Sequence, residues 1–194
     1  MDEGYIKYQC NWIQTEIIHP EQIHEINKWR SLLIKKGFIG MYANGIGFGN
    51  ISMRIDHNIF MISGSATGGI QELTVDHYAL VTDFNLTHNQ LTCKGMTTAS
   101  SESLTHAAIY DCSKETNAVV HIHHKEKWSR LIHHVATTDP SIAYGTPEMA
   151  FAIQNLIMDN KVGPSKIIVM GGHEEGLISY GETLEAAAMA FLMI

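Results

Sequence analysis

Apolar segments of strand length and of helix length follow one another irregularly along this chain, and that order is the strongest constraint on its fold. Short apolar runs predict strands at 58–64, 77–85, 117–123 and in both arms of 166–181. Apolar residues three and four apart, with capping residues, predict helices at 20–36, 100–113, 146–160 and 183–194. Because no regular strand–helix–strand rhythm is present, we expect a single α/β or α+β domain over residues 1–194, with a largely antiparallel or mixed central sheet.

The overall charge limits which partners this chain can bind. The 194 residues carry a formal net charge of -7, with 45% hydrophobic and 17% charged residues. This composition is typical of a globular protein rather than of a disordered chain. Lysine and arginine form no basic stripe, so we expect no nucleic-acid partner. An anionic ligand would instead be held by local donors, such as backbone N–H groups, or by a metal ion.

The cysteines and the N-terminal sequence bear on the compartment. Three cysteines are scattered along the chain and form no C-x-x-C pair, a pattern typical of reduced thiols in the cytoplasm. The N-terminal residues lack a basic stretch followed by an apolar one, so we expect no secretory signal. No apolar run reaches membrane-spanning length. We therefore expect a cytoplasmic protein with no membrane partner.

A short apolar run leads directly into two histidines that are separated by one residue. On a strand, alternate side chains share a face, so His121 and His123 would point the same way, with Cα atoms roughly 6.6 Å apart. From that spacing both imidazoles can reach one metal ion. The alternative is a polar strand end with two hydrogen-bonded histidines, and the pattern does not distinguish the two.

A third histidine is the best candidate to complete such a site. A catalytic zinc ion usually has three protein ligands and one open position. His173 follows the apolar run 167–170 and two glycines, so we expect it at the end of another buried strand, or alternatively in an ordinary turn. Four other histidines are expected to serve as packing or surface residues rather than ligands: His106, His124, His133 and His134.

Glu102 lies in the first turn of the helix predicted at 100–113, which Ser100 or Ser101 is expected to cap. A carboxylate near a helix N-terminus is favourable on dipole grounds alone. The functional alternative is that the N–H groups and two hydroxyls at this helix start bind an anion, while Glu102 transfers a proton beside the metal. The residue pattern leaves both interpretations open.

Several stretches together resemble the class II aldolase/adducin family, which includes fuculose-phosphate aldolases and ribulose-phosphate 4-epimerases. They occur in the family's order over about residues 20–190, and they read GNISMR, FMISGSATG, SSESLTHAAIY, AVVHIHH and GGHEEGLISYGETLEAA. The resemblance implies a three-layer α/β/α sandwich around a central, mainly antiparallel sheet. It also implies a homotetramer with active sites at subunit boundaries.

The same resemblance implies roles for individual residues. His121, His123 and His173 match the family's three zinc-binding histidines, with another divalent transition metal as the alternative cofactor. Glu102 matches the glutamate that completes the free metal site or acts as acid and base. The residues that match the phosphate pocket are Asn50, Ser65, Ser100 and Ser101.

The resemblance also implies an activity. It predicts a zinc-dependent lyase of the aldolase type, which cleaves a phosphorylated ketose through a metal-stabilised enediolate in carbohydrate metabolism. A sugar-phosphate 4-epimerase, a methylthioribulose-phosphate dehydratase or a decarboxylase would use the same site, because one fold supports several reactions. A further alternative is a non-catalytic, adducin-like association domain.

Overall fold

The computed structural model describes residues 4–17 and 19–194. The strands in this part of the chain are β1 (Gln9–Gln14), β2 (Gly40–Met41), β3 (Gly47–Phe48), β4 (Asn50–Asp56), β5 (Ile59–Ser63), β6 (Tyr78–Asn85), β7 (Gln90–Gly95), β8 (Ala118–His123), β9 (Ala136–Thr137), β10 (Ile167–Val169) and β11 (Gly176–Gly181). The α-helices are α1 (Pro20–Lys35), α2 (Ser103–Cys112), α3 (Lys125–Leu131), α4 (Pro147–Met158) and α5 (Leu184–Leu192). One 3₁₀ turn, at Val75–His77, precedes β6.

A single large sheet forms the centre of the molecule. Within the described residues it has nine strands in the order β1-β7-β6-β5-β4-β8-β11-β10-β9, while β2 and β3 form a separate hairpin. Both edge strands pair in parallel with their neighbours, and the pairs between them are antiparallel. The expected central, mainly antiparallel sheet is therefore confirmed, and β8 lies near its middle.

Helices cover both faces of this sheet and produce three layers. One hydrophobic core lies under α2 and α4, with Ala107 and Ile153 among its buried residues. The other lies under α1 and α5, with Leu33 and Phe191 among its buried residues. Since strand side chains alternate, Val119 of β8 belongs to the first core and Val120 to the second. The three-layer α/β/α architecture is confirmed.

Helix α4 begins at its expected capping residue, whereas α2 does not. Thr146 caps α4, since its hydroxyl accepts a hydrogen bond from the Met149 N–H at 3.3 Å. The expectation that Ser100 or Ser101 caps α2 is wrong, because that helix begins at Ser103 with Glu102 at the N-cap. The Ser103 hydroxyl and N–H both donate to the Ser100 carbonyl, which closes a separate turn ahead of the helix.

The length and apolar character of the helices decide whether any of them could cross a membrane. Among the residues that the structure describes, no helix has both the length and the apolar character needed to cross a membrane.

Candidate metal centre

The central strand β8 presents its two histidines on one face of the sheet. His121 lies opposite Asn50 of β4, and His123 lies opposite Gly176 of β11. Both rings point to the side covered by α2 and α4, where Val119 packs, as the alternation along a strand requires. Every residue of β8 is buried, so the backbone that carries the two imidazoles is held from both sides.

The loop between β10 and β11 brings the third histidine to the same place. A side chain at Gly172 would put a Cβ atom 1.8 Å from the Ile142 carbonyl oxygen, so only glycine allows this close approach. A Cβ atom at Gly176 would lie 2.9 Å from Nδ1 of His173. The two glycines therefore let the loop fold tightly enough to place His173 against the end of β8.

The three imidazoles form one compact, buried group. One ring nitrogen from each of His121, His123 and His173 lies within 4.8 Å of the others, and the side chains are 1–4% exposed. Burial, and then the neighbouring His123 and His173, holds the pKa of His121 well below its usual 6.5. A neutral imidazole is the form that binds metal, so the lowered pKa keeps His121 in the form that a metal site needs.

The environment of one buried ring nitrogen, Nε2 of His121, indicates whether a metal ion fits this group. Nε2 of His121 is buried and has no hydrogen-bond partner among the described residues. The other ring nitrogen, Nδ1, lies 3.4 Å from the Asn50 side-chain amide. A buried polar atom without a partner is unfavourable, and coordination of a cation would satisfy it. The donor set of three imidazole nitrogens fits zinc or a similar divalent transition metal.

Aromatic side chains orient two of the imidazoles. The Tyr144 ring stacks on the His173 ring, with centroids 4.3 Å apart and an angle of 22° between the planes. The Tyr42 hydroxyl lies 2.9 Å from Nδ1 of His123 and donates a hydrogen bond to Glu175 at 2.7 Å. The rings are thus held by stacking and hydrogen bonds as well as by the backbone.

Glu102 is buried but does not belong to the group of ligand atoms formed by the three histidines. It is 1% exposed, and its Oε2 accepts a hydrogen bond from the Thr105 hydroxyl at 2.7 Å. The cluster within 4.8 Å contains histidines only. The expected role of Glu102 as acid and base remains a prediction.

The four residues expected at the phosphate pocket line one cleft. These four are Asn50, Ser65, Ser100 and Ser101, and the stretch Gly47–Gly49 and the turn around Thr67 complete the walls of the cleft. Behind the cleft, the Arg30 guanidinium is 1% exposed and donates to the carbonyls of Thr67 at 2.8 Å and Ile70 at 2.7 Å. Asn50 connects the two regions, because it also contacts His121.

The remaining histidines lie outside the metal group, as expected. His124 caps α3, accepting a hydrogen bond from the Lys127 N–H, and His133 and His134 are exposed. His106 is fully buried beneath the site, with Nδ1 2.7 Å from the Ser52 hydroxyl. Burial lowers the pKa of His106 from 6.5 to about 3, so it is neutral at physiological pH.

Sequence reasoning did not find the residues that support the site. Tyr42, Glu175 and Arg30 lie up to 133 positions from the groups they contact, and no local pattern links them. One local signal was available at Glu175, which has φ +71° in a turn where glycine or asparagine would be expected.

Comparison with known proteins agrees with this architecture. The sequence profile of the Class II Aldolase and Adducin N-terminal domain matches residues 40–194. No curated protein sequence matches the chain.

Solved structures share the fold at low sequence identity. An L-fuculose 1-phosphate aldolase superposes with a TM-score of 0.66 at 18% identity, covering 90% of this chain and 81% of that one. A sugar-phosphate aldolase from Thermotoga maritima gives 0.67 at 16%, covering 90% of both chains. YgbL from Klebsiella pneumoniae, described as a candidate aldolase, epimerase or decarboxylase, gives 0.67 at 16%, covering 91% of this chain and 86% of that one. At such identities the likeness establishes the fold.

Proposed function

Because the chain belongs to the Class II Aldolase and Adducin N-terminal domain family, we propose that it is a metal-dependent lyase that cleaves a phosphorylated ketose. The observation that carries this proposal is the buried group of His121, His123 and His173. A protein that served only as an association domain would gain nothing from burying three polar rings around one point, since burial of polar groups is unfavourable. The proposed products are an aldehyde and a two- or three-carbon phosphate.

The three histidines would hold one divalent ion, with zinc preferred because imidazole nitrogen suits it. When bound, the ion would stabilise the negative charge that develops on substrate oxygen as the carbon–carbon bond breaks. The protein's own part is to keep the His121 ring neutral and to keep all three rings buried and oriented. The lowered pKa of His121 and the stacking of Tyr144 on His173 support that assignment.

The cleft beside the metal group supports a phosphate on the substrate. Hydroxyls of Ser65, Ser100 and Ser101 and the amide of Asn50 line it, and these neutral donors suit an anion in an acidic protein. The buried guanidinium of Arg30 adds a positive charge behind the loop that forms one wall. Phosphate binding here would place the rest of the sugar toward the histidines, since Asn50 borders both.

Glu102 is proposed to move the proton on the substrate carbon next to the broken bond. Its burial and its place directly after Ser101, at the start of α2, support this role. Such a group must exchange a proton during the reaction, which a carboxyl group can do.

A screen of ketose phosphates with metal-replete protein tests the proposal. Release of an aldehyde and a small phosphate, abolished when the metal is stripped by a chelator and restored by zinc, would support it. Conversion of the substrate to an isomer of equal mass would instead identify an epimerase. Absence of both metal binding and turnover would favour the association domain and overturn the proposal.

The family resemblance also supports a homotetramer with active sites at subunit boundaries, and the scattered cysteines of the sequence support a cytoplasmic location. Sedimentation equilibrium measures the assembly directly, and a monomer would contradict it.

A further inference from the structure

A chain of two hydrogen bonds leads from the candidate metal ligand His123 to a carboxylate. Tyr42 lies in the turn between β2 and β3, and its hydroxyl donates to Oε2 of Glu175 at 2.7 Å. The same hydroxyl oxygen lies 2.9 Å from Nδ1 of His123. Glu175 is two residues from His173. The loop between β10 and β11 therefore carries the candidate ligand His173 and also Glu175, which is linked to the candidate ligand His123 through Tyr42.

The proton count along this chain fixes the donor at each step. A phenol has one proton, and a carboxylate can only accept, so the Tyr42 proton is used in the bond to Glu175. The phenol oxygen then offers His123 only a lone pair. Nδ1 of His123 must therefore carry the ring proton and donate to Tyr42, which leaves Nε2 with the lone pair that a metal ion requires.

The surroundings hold this arrangement in place. The Phe48 ring lies 4.5 Å from the Tyr42 ring and 5.6 Å from the His123 ring, measured between centroids. Glu175 has the left-handed backbone conformation, which is unfavourable for a residue with a side chain, and its carbonyl accepts a hydrogen bond from the His124 N–H at 2.9 Å. The hydrogen bond that the Glu175 carboxylate accepts from Tyr42 explains why a glutamate occupies this unfavourable backbone position.

We infer that Tyr42 and Glu175 act as a positioning pair that fixes His123 in the Nδ1–H form and presents Nε2 to the metal. The pair acts through His123, and neither of its residues belongs to the group of candidate ligand atoms. This inference rests on the metal site of the proposed function, and it adds two residues to that site.

The ring proton can be located without metal or activity. In metal-free protein with ¹⁵N-labelled histidine, NMR distinguishes protonated from unprotonated ring nitrogens. We expect wild-type His123 to be the Nδ1–H form and Tyr42→Phe, which lacks the acceptor, to shift toward the Nε2–H form. Glu175→Gln is expected to shift in the same direction, because the new amide N–H can donate to the phenol oxygen and so free the Tyr42 proton for Nδ1. The matched control is Glu174→Gln, since Glu174 is exposed and pairs with Lys125 at 3.3 Å.

Zinc affinity, measured by competition with a chromogenic chelator, provides the second readout. Tyr42→Phe and Glu175→Gln should each weaken binding by about 10–100-fold, the usual effect of losing a group that orients a ligand. The double variant should be no weaker than the worse single variant, because the two residues act as one unit. Glu174→Gln should bind as the wild type does.

The outcomes separate this inference from the proposed function. An unchanged His123 tautomer in Tyr42→Phe, or losses of affinity that simply add, would overturn the positioning pair while leaving ketose cleavage intact. A wild-type protein that cleaves no ketose phosphate but shows the expected tautomer shift and affinity losses would overturn the proposed function alone. If the wild type bound no zinc, the tautomer measurement would still decide whether the pair fixes His123.

Discussion

Glu102 is the residue whose chemistry most directly determines the proposed reaction. We expect Glu102→Gln to retain zinc and lose about 10²- to 10⁴-fold in turnover, because the amide keeps the bond from Thr105 but cannot exchange a proton. Metal content and product release, measured on the same preparation, check this. The exposed Glu115→Gln serves as the control for charge removal. Near-normal turnover by Glu102→Gln would remove this residue from the mechanism.

His106 makes the folded protein sensitive to acid. Its pKa is lowered to about 3 by burial, so below pH 6.5 the unfolded chain binds a proton that the folded chain does not. The contribution of this residue to stability is therefore complete above pH 6.5 and falls as the pH drops toward 3, by about 1.4 kcal/mol per pH unit. Urea unfolding of metal-free protein at several pH values measures the slope.

A substitution isolates the contribution of His106 to that slope. His106→Gln should flatten it, whereas His133→Gln, at an exposed position, should leave it unchanged. Equal slopes in the wild type and in His106→Gln would show that other groups cause the acid sensitivity.

Among the elements, the loop from β10 to β11 controls where His173 lies. Gly176→Ala would add a methyl group 2.9 Å from the His173 ring, which must then move. We expect zinc affinity to fall at least about tenfold while the fold is kept, because a displaced ligand no longer meets the other two. Chelator competition measures the affinity. Gly163→Ala is the matched control, since its Cβ atom would meet nothing within 4 Å, and equal affinities in both variants would contradict the prediction.

Helix α1 supports the cleft that we propose binds phosphate, through Arg30. Replacing this residue with methionine would leave the carbonyls of Thr67 and Ile70 without their buried donor. We expect a loss of at least about 2 kcal/mol in unfolding free energy. We also expect a rise in KM for the sugar phosphate of about tenfold, equivalent to about 1.4 kcal/mol.

Lys28→Met provides the comparison on the same helix, because the Lys28 side chain is 59% exposed. Denaturant unfolding and substrate saturation curves for both variants separate a general loss of stability from a specific effect on the cleft. If Arg30→Met behaved like Lys28→Met in both measurements, Arg30 would have no role in the cleft.

At the scale of the whole molecule, metal binding should stabilise the fold, because the three ligands come from β8 and from the loop before β11. At free zinc 100-fold above Kd, mass action contributes about 2.7 kcal/mol. For a chain of 194 residues this raises Tm by about 5–10 °C over chelator-treated protein. Thermal unfolding measures the shift. His121→Asn should show little of it, and an equal shift in that variant would place the metal elsewhere.

The elements with strong periodicity or strong caps could be predicted from the sequence. Helices α1 and α4 and the strands β8 and β11 lie where apolar spacing, Thr146 and the glycines indicate. The edge strand β1 and the short helix α3 were not predicted. β1 is almost entirely exposed, so it carries no alternation of apolar and polar residues. α3 spans only seven residues, too few for a helical period to be recognised.

The sequence by itself determined the chemistry available to this protein: two histidines one residue apart on a buried strand, a third after two glycines, and a helix start with hydroxyls and a carboxylate. Local spacing is enough for that, since alternation along a strand depends only on backbone geometry. Only the tertiary structure decided which groups meet. Contacts such as Tyr42 with His123 and Arg30 with Thr67 depend on the packing of distant elements, whose relative positions no local pattern encodes.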